Sequence, residues 1–581
     1  MGFWRVILSR KPTRVLKQAL SGLRELSQAV AHPNILYSDR EDVEVPRIPV
    51  HQYIYAKIEP FHKYTFTECS VTGRKYTYEE VRVKARNLSK SIVKKLRLQK
   101  DDVVAIFLPN IPEYPICCLG IMEAGLAVTT MNPIYTAEEI SKQILDSNAK
   151  AMITLNQNNL TSTAEAAIKM AKRTLPIVVI KDKECDDLCR SCIDFGELVD
   201  TNTDIPDFDH EGLDRMAFLP YSSGTTGLPK GVELTHNNLV SNLCQGAHQD
   251  FNKFVSANGN FQEVISAVLP MFHIYGFMVN LLNVATYGTK VVTIPRFHPE
   301  LYISVLKQHA ITAIYAAPPL VLFMIQHPDV RAEYMKNVKF ILSAAAPLGS
   351  LDEQHFQEKF GDTISITQGY GLTETSPLVT LFPKKYAEET SQPVTGSIGK
   401  LLPNTRAKVI SLDDPTGPPL GPNEQGELLL KGPQIMKGYH NKPKETEETM
   451  LDGWLRTGDI VRYNEDGFLF VTDRLKELIK VKGFQVAPAE LEELIRAFPA
   501  VEEAAVIGIP HPNHGEVPRA YVVPKKDTSL VPDELDKFVA SKVANYKRLS
   551  GGIEVVDAIP KTPSGKILRR QLKVMHQQQG R

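Results

Sequence analysis

Charge of either sign is not in excess in this 581-residue chain: Lys and Arg number 67, Asp and Glu 67, and the formal net charge is zero. A protein that holds nucleic acid through its phosphates needs a basic surplus, so a non-specific polyanion partner is disfavoured. Long apolar runs are missing too. The most apolar stretch, Ile116 to Met131, is broken by Glu123, and no membrane span is readable. Cysteine is scarce, with seven in the chain, which argues for a reducing compartment and against a disulfide framework. Cys185, Cys189 and Cys192 have the spacing of an iron–sulfur cluster loop, but the plainer reading is an acidic surface loop, Asp182 to Cys192, with incidental cysteines. The last residues, Gln579-Gly580-Arg581, are not the peroxisomal Ser-Lys-Leu.

What is present is a loop rich in glycine and hydroxyls that ends in a lysine, Tyr221-Ser222-Ser223-Gly224-Thr225-Thr226-Gly227-Leu228-Pro229-Lys230-Gly231. Glycines let backbone approach an anion, Ser222, Ser223, Thr225 and Thr226 supply donors, and Lys230 supplies charge, so the loop suits a phosphate chain. It is not the loop of the nucleotide hydrolases, because Pro229 precedes Lys230 and Gly231 stands where a magnesium-binding hydroxyl is wanted. Three more segments follow in order: Gln368-Gly369-Tyr370-Gly371-Leu372-Thr373-Glu374, Trp454-Leu455-Arg456-Thr457-Gly458-Asp459, and Asp473 to Gln485. A last one, Pro560 to Arg570, carries Lys566.

Together these segments resemble the adenylate-forming superfamily, nearest its acyl-CoA synthetase and 4-coumarate-CoA ligase branch and related to beetle luciferase, over about Tyr53 to Leu572. The resemblance implies an α/β fold: two layered α/β subdomains and a small β barrel, followed by a small mobile α+β C-terminal domain. It implies that Ser222 to Gly227 and Lys230 hold ATP phosphates. Gln368, Gly369, Tyr370, Gly371 and Thr373 would hold the adenine segment, Asp459 and Arg474 the ribose, and Glu374 a magnesium ion. Lys566 would drive adenylation. Lys480 and Gln485 would serve the thioester step, with Lys482, Gly483 and Arg296 near coenzyme A. His273 would orient the acid's carboxylate, and Tyr275, Val279 and Ala344 would line the acyl pocket.

The implied activity is activation of a carboxylic acid by ATP to acyl-AMP and transfer to CoA. Ser343-Ala344-Ala345-Ala346-Pro347 departs from coumarate ligases, which tend to carry glycines there, and Val279 replaces a small polar residue. The expected acid is therefore a medium- or long-chain fatty acid, with an aryl-propenoic acid second. A luciferase-like monooxygenase, a carrier-protein ligase and a catalytically dead scaffold are the rival functions.

Short apolar runs alternate with helical patterns: Val103 to Leu108, Ala151 to Thr154, Ile177 to Ile180, Ala267 to Leu269, Val291 to Ile294 and Ala313 to Ala316 read as strands, Tyr78 to Leu96 as a helix. Further on, Pro488 to Arg496 and Pro532 to Val543 read as helices, Ala504 to Ile509 and Ala520 to Val523 as strands. The expected division is 1–35 as leader, 36–472 as adenylation domain, 473–476 as hinge and 477–581 as mobile domain. In the leader, Arg5, Arg10, Lys11, Arg14, Lys17 and Arg24 meet one acid, Glu25, and Leu16, Ala19, Leu20, Leu23, Leu26 and Val30 fall at helical spacing. That pattern predicts a mitochondrial transit peptide, with a membrane-surface helix or a solvated cytoplasmic leader as alternatives.

Overall fold

The computed structural model describes residues 34–579 except 158, 183–187, 206–207, 209–211, 223–228, 391–393, 482–483, 513, 527 and 563–564. The leader helix expected over the first thirty residues lies outside these. The chain is already part of the fold at Asn34, whose Nδ2 donates to Pro419 O at 2.7 Å.

Two largely parallel sheets make up most of the molecule. In the first, Ala127–Thr130, Val103–Phe107, Ala151–Leu155, Ile177–Ile180 and Cys192–Asp194 lie side by side in that order and all parallel. Met216–Phe218 extends it, and Lys230–Thr235 and Tyr221–Ser222 add antiparallel strands at the edge. In the second, the order is Ser365–Gln368, Phe340–Ser343, Ala313–Ala316, Val264–Ala267, Lys290–Thr293, Thr65–Cys69 and Lys75–Thr77, parallel until the last pair. Parallel strands need crossovers, and the helices between them supply these. The helix Tyr78–Leu96 starts at a capping box of Thr77 and Glu80 and buries Val81, Ala85, Leu88 and Ile92, a spacing that keeps one apolar stripe inward.

The helical segment Ile274 to Asn283 lies between the two sheets, and its Phe277 stacks on Phe218 of the first at 4.0 Å. Its second half, Met278–Asn283, winds as a π-helix, a form that often marks functional positions. Most strands and helices fall where the sequence places them. The expected strand Ala267 to Leu269 is instead Val264–Ala267: the chain turns out of the sheet ahead of Pro270, and Asn110 Nδ2 donates to the carbonyls of Ala267 and Leu269. The helix expected to Val543 ends at Ala540.

Where a small barrel was expected, a six-stranded antiparallel sheet (Leu36–Tyr37, Arg406–Ile410, Gly426–Lys431, Trp454–Tyr463, Met450–Leu451 and Leu469–Arg474) is joined through a Gly399–Leu469 bridge to a three-stranded one. The expected exposed loop from Leu412 to Glu424 connects two of its strands. The C-terminal unit has its own core around Ile479, Leu491, Val506, Val522 and Leu535. Its sheet runs Phe484–Val486, Ile479–Val481, Gly515–Pro524 and Val501–His511, with Ile553–Val555 beside Gly515–Pro524. It docks on the larger part through Arg496 Nη1 to Asp352 Oδ2 at 2.7 Å and Ser350 Oγ to Glu493 Oε1 at 3.2 Å. No described helix is long and apolar enough to cross a membrane.

One expectation about cysteine is corrected. Cys189 and Cys192, taken as incidental, are joined as a disulfide, which the three-residue separation permits within one turn. Cys185 lies outside the described residues. The buried thiols Cys117 and Cys118 are pushed well up by desolvation, so they are apolar filling rather than nucleophiles.

Candidate active site

Ligands of parallel α/β sheets sit beyond the carboxyl ends of the strands, and here those ends are at Ser343 and Gln368. Just past them the chain narrows to glycine at Gly371. A Cβ there would lie 1.8 Å from Pro377 O, so only glycine lets the two strands meet. Tyr370 next to it donates to Asp459 Oδ2 at 2.6 Å, and Arg474 Nε lies 3.2 Å from Asp459 Oδ1. Asp459 and Arg474 are opposite one another in adjacent strands, which is why residues fifteen apart in sequence share one carboxylate. Burial first, then Asp459, raises the Tyr370 phenol, which keeps it a donor.

Glu374 sits on a short turn of helix, Thr373–Thr375, after this segment. Its Oε1 accepts from Tyr439 Oη at 2.9 Å and from Ser222 Oγ at 3.3 Å. Lys230 stands over the Tyr439 ring at 4.6 Å, so the two ends of the glycine-rich loop, Ser222 and Lys230, both face this carboxylate's surroundings. Ser223, Gly224, Thr225, Thr226 and Gly227 lie outside the described residues. Tyr439 was not anticipated from the sequence; a single tyrosine after Gly438 carries no signal of its own.

From the C-terminal unit, Lys566 enters the same space. The loop bearing it is closed by Thr562 N to Lys566 O at 2.8 Å and Lys566 N to Thr562 Oγ1 at 3.0 Å. Gly565, at φ +84°, presses on the larger part so closely that a Cβ would lie 2.7 Å from Pro319 Cδ. The Arg474 guanidinium and then burial lower Lys566 to about 8, while Asp459, Glu374 and Glu477 pull the other way. His273 also feels this lysine. Its Nδ1 accepts from Tyr275 N at 3.3 Å as the cap of Ile274–Phe277, and burial followed by Lys566 lowers it to about 4. The imidazole is therefore neutral at pH 7 with its proton on Nε2, free to donate.

Gln368 does not point into this space. Its side chain turns to the other face, taking Leu348 N at 2.9 Å and giving to Leu348 O at 3.1 Å and Glu353 Oε1 at 2.9 Å, so as a side chain it braces the wall. Gly369 and Thr373 lie in the segment expected to hold adenine, Gly369 against the Leu342 and Leu381 side chains. Tyr275 is buried, with Oη donating to Leu342 O at 3.1 Å and its ring edge-on to Tyr315. Val279 lines a pocket of about 510 Å³ of unfilled space, part of it open to solvent, with Phe254, Tyr315, Phe340 and Leu342. Ala344 is buried at the end of the strand that carries Leu342.

The residues expected to serve the thioester step lie elsewhere. Lys480 and Gln485 pair across the hairpin Ile479–Val481 and Phe484–Val486, and Lys480 is exposed with its N–H donating to Glu516. Lys482, Gly483 and the Gln485 side chain lie outside what is described. Arg296 borders a separate cleft with Arg74, Gln157 and Asp182.

Comparison with known proteins agrees with this geometry. The family described as AMP-binding enzyme matches residues 57–440, and the AMP-binding enzyme C-terminal domain matches 490–566. 4-Coumarate--CoA ligase 1 of Arabidopsis thaliana is 36% identical over 566 residues, covering 96% of this chain and 98% of its own. 4-Coumarate--CoA ligase 3 of Oryza sativa subsp. japonica is 35% identical over 542 residues, covering 93% and 94%. Among solved structures, ATP-bound MatB from Rhodopseudomonas palustris superposes with a TM-score of 0.79 at 25% identity, covering 91% of this chain and 98% of that one. With tyrosine, aspartate, arginine, glutamate and a docked lysine gathered at the strand ends, the chain belongs to the AMP-binding, adenylate-forming enzyme family and is an ATP-dependent, AMP-forming acid–CoA ligase.

Proposed function

We propose that the ligase activates an elongated acid whose stem lies in the pocket of Val279, Tyr315 and Leu342, and that Lys566 acts at the reacting carboxylate. The observation that carries this is the meeting of Lys566, Arg474, Asp459, Glu374 and His273 in one space. In the first half-reaction a carboxylate oxygen bonds to the α-phosphorus of ATP and the bond to pyrophosphate breaks. Charge grows on the α-phosphate oxygens and the leaving group. Lys566 would balance it on one side and Lys230 with Ser222 on the other. His273 Nε2–H would hold the attacking carboxylate, and Tyr370, Asp459 and Arg474 the nucleoside. In the second, the CoA thiol sulfur bonds to the acyl carbon and AMP leaves; Lys480, Lys482, Gly483 and Gln485 serve that step only if the C-terminal unit turns about 473–476, and Arg296 would meet the CoA nucleotide.

Glu374 suits a magnesium ion: its hydrogen-bond partners are hydroxyls, and a carboxylate beside a phosphate site is what a hard cation takes. When bound, the ion would neutralise phosphate charge.

For the acid, two observations pull apart. Rings of Phe254, Tyr315 and Phe340 flank the pocket and the relatives are named for 4-coumarate, which favours an aryl-propenoic acid. Ala344 in place of glycine narrows a flat slot, which favours a medium- or long-chain alkyl acid. A panel of both kinds, tested for acid-dependent ATP–pyrophosphate exchange and then for thioester formation with CoA, decides. No exchange with any acid would sink the proposal. The basic leader is proposed to direct import into mitochondria; a protein lacking residues 1–31 that keeps activity and loses mitochondrial residence is the expected outcome.

A further inference from the structure

The floor of the acyl pocket is ruled like a grid. In the parallel strands Ala313–Ala316, Phe340–Ser343 and Ser365–Gln368, Tyr315 pairs with Leu342 and Leu342 with Thr367, while Ala313 pairs with Phe340 and Phe340 with Ser365. Alternate residues face the same side, so Tyr315, Leu342 and Thr367 form one row and Ala313, Phe340 and Ser365 the row behind it. In front of both, at the carboxyl ends, come Ala317, Ala344 and Gly369. Ala317 is the residue that the Lys566 loop approaches at Gly565, so this front row is the reacting end. Each row lies ~7 Å behind the last.

Lys253 stands at the back of this grid. It borders the pocket, and its Nζ donates to Ser365 Oγ at 3.3 Å and Thr367 Oγ1 at 3.5 Å, with the Phe340 ring at 5.5 Å. A surface lysine would extend its ammonium into water. This one turns inward to the floor, and no carboxylate among the described residues lies within ion-pair distance of it. Burial alone lowers it to about 8, so near pH 7 it remains mostly cationic. An ammonium has three donors, and a desolvated cation among uncharged walls is costly until an anion meets it. Asn252 and Asn283 add amides to the lining, Gly246, Phe251, Leu378, Leu381 and Phe382 make the remaining walls, and none of these carries a charge.

We infer that Lys253, with Ser365 and Thr367, anchors a second carboxylate at the far end of the substrate, so that the preferred acids are dicarboxylic: one carboxylate reacts at the front row and the other rests one to two rows behind. This rests on the ligase reading of the pocket. It leaves the stem open, aryl or alkyl, and fixes the chemistry of its far end.

The test compares matched acids with the full chain: cinnamate, 4-hydroxycinnamate and 4-carboxycinnamate in one series, decanoate and decanedioate in the other. In the unaltered protein the dicarboxylate of each series is expected to have the higher kcat/KM for pyrophosphate exchange. Lys253→Met should cut the dicarboxylate by roughly ten-fold or more, as loss of a charged hydrogen bond does, while leaving or raising the mono-acid, which also reports that the variant folds. Lys253→Arg should keep most of the preference. Thr367→Val gives the same readout if Lys253→Met does not fold. Activity on mono-acids with no dicarboxylate preference, or a preference that survives Lys253→Met, overturns the inference. A preference for 4-hydroxycinnamate alone, lost in Lys253→Met, overturns it in favour of a neutral phenol at the same anchor. Absence of exchange with every acid instead overturns the ligase reading itself.

Discussion

The acyl floor and the Lys566 loop are made in different ways. The floor is three hydrogen-bonded strands whose register places every side chain, from Gly369 at the front to Ser365 at the back. Lys566 reaches the same space on a loop of another unit, which meets the larger part at the Gly565–Pro319 contact, the Arg496–Asp352 pair and the Ser350–Glu493 hydrogen bond. On the proposed reading, selectivity rests on a part that cannot slide without unpairing a sheet, and adenylation chemistry on a part expected to turn away about 473–476. The hairpin bearing Lys480 shows the complement. It faces solvent, with Phe484 56% exposed and stacked on Tyr546, as a surface used in another position of the unit would be.

The strongest break of this comparison is Lys566→Ala. It removes one preorganised charge from adenylation, which should cost about 10² or more in the rate of acyl-AMP formation. The floor is untouched, so thioester formation from supplied acyl-adenylate and CoA should survive. Equal loss of both half-reactions in a folded variant would show that the lysine serves both positions of the unit.

The same lysine sets an expectation for pH. It is cationic below about 8 and neutral above, so kcat/KM for ATP in the adenylation step should fall as pH rises through about 8, approaching ten-fold per unit beyond it. Because kcat/KM reports the free enzyme, phosphate bound in the site does not move this value. Lys566→Arg should flatten the limb, at whatever rate remains. A limb that persists in the arginine variant would belong to another group. His273 predicts the opposite side: it takes its proton only near pH 4, whereas an unfolded chain takes it near 6.5. Between these values the unfolded state binds more protons, so folding stability should decline as pH drops from 6.5 towards 4.

On the fixed side, Ala344→Gly should change choice rather than chemistry. Removing one methyl from the front row is worth roughly 1–3 kcal/mol in discrimination, so the kcat/KM ratio of cinnamate to an alkyl acid should rise about ten-fold. The step separation defined by Lys566 should be unaltered. An unchanged ratio would move the selective wall behind Ala344, to Tyr315 or Leu342.

What the sequence makes legible follows the same divide. Local chemistry reads well: Tyr78–Leu96 announces itself by the Thr77 and Glu80 cap, and Ile177–Ile180 by an unbroken apolar run. Short motifs with glycine at fixed offsets reveal Tyr370, Glu374, Asp459 and Lys566, because only such offsets permit backbone as close as Gly371 is to Pro377. Side-chain direction does not read. Gln368 belongs to the motif yet faces away, since a strand alternates and Gly369 and Thr367 take the pocket side. Tyr439, in the two-residue strand Gly438–Tyr439, and Lys253, in a loop, carry no motif, and what matters about each is what folding sets opposite it, Glu374 in one case and Ser365 with Thr367 in the other. The disulfide Cys189–Cys192 does not read either, because cysteine scarcity speaks about the whole chain and not about two residues within one turn.

The smallest expected effect tests how the moving part is held. Arg496 Nη1 and Asp352 Oδ2 meet at 2.7 Å with both side chains partly covered, and Glu493 on the same helix as Arg496 accepts from Ser350. An exposed pair contributes about 0.2–1 kcal/mol, and this one should lie at the upper end of that range. If it steadies only the position in which Lys566 is engaged, Arg496→Ala should slow adenylation by a few-fold, roughly 1.5 to 5. CoA transfer from supplied acyl-adenylate should hold or quicken, because the position it needs competes with the one that the pair favours. Restoring the contact with opposite charges, Arg496→Asp with Asp352→Arg, should recover adenylation towards the original rate. A loss shared equally by both half-reactions and not recovered in the exchanged pair would mean that Arg496 supports the C-terminal unit itself and not its docking.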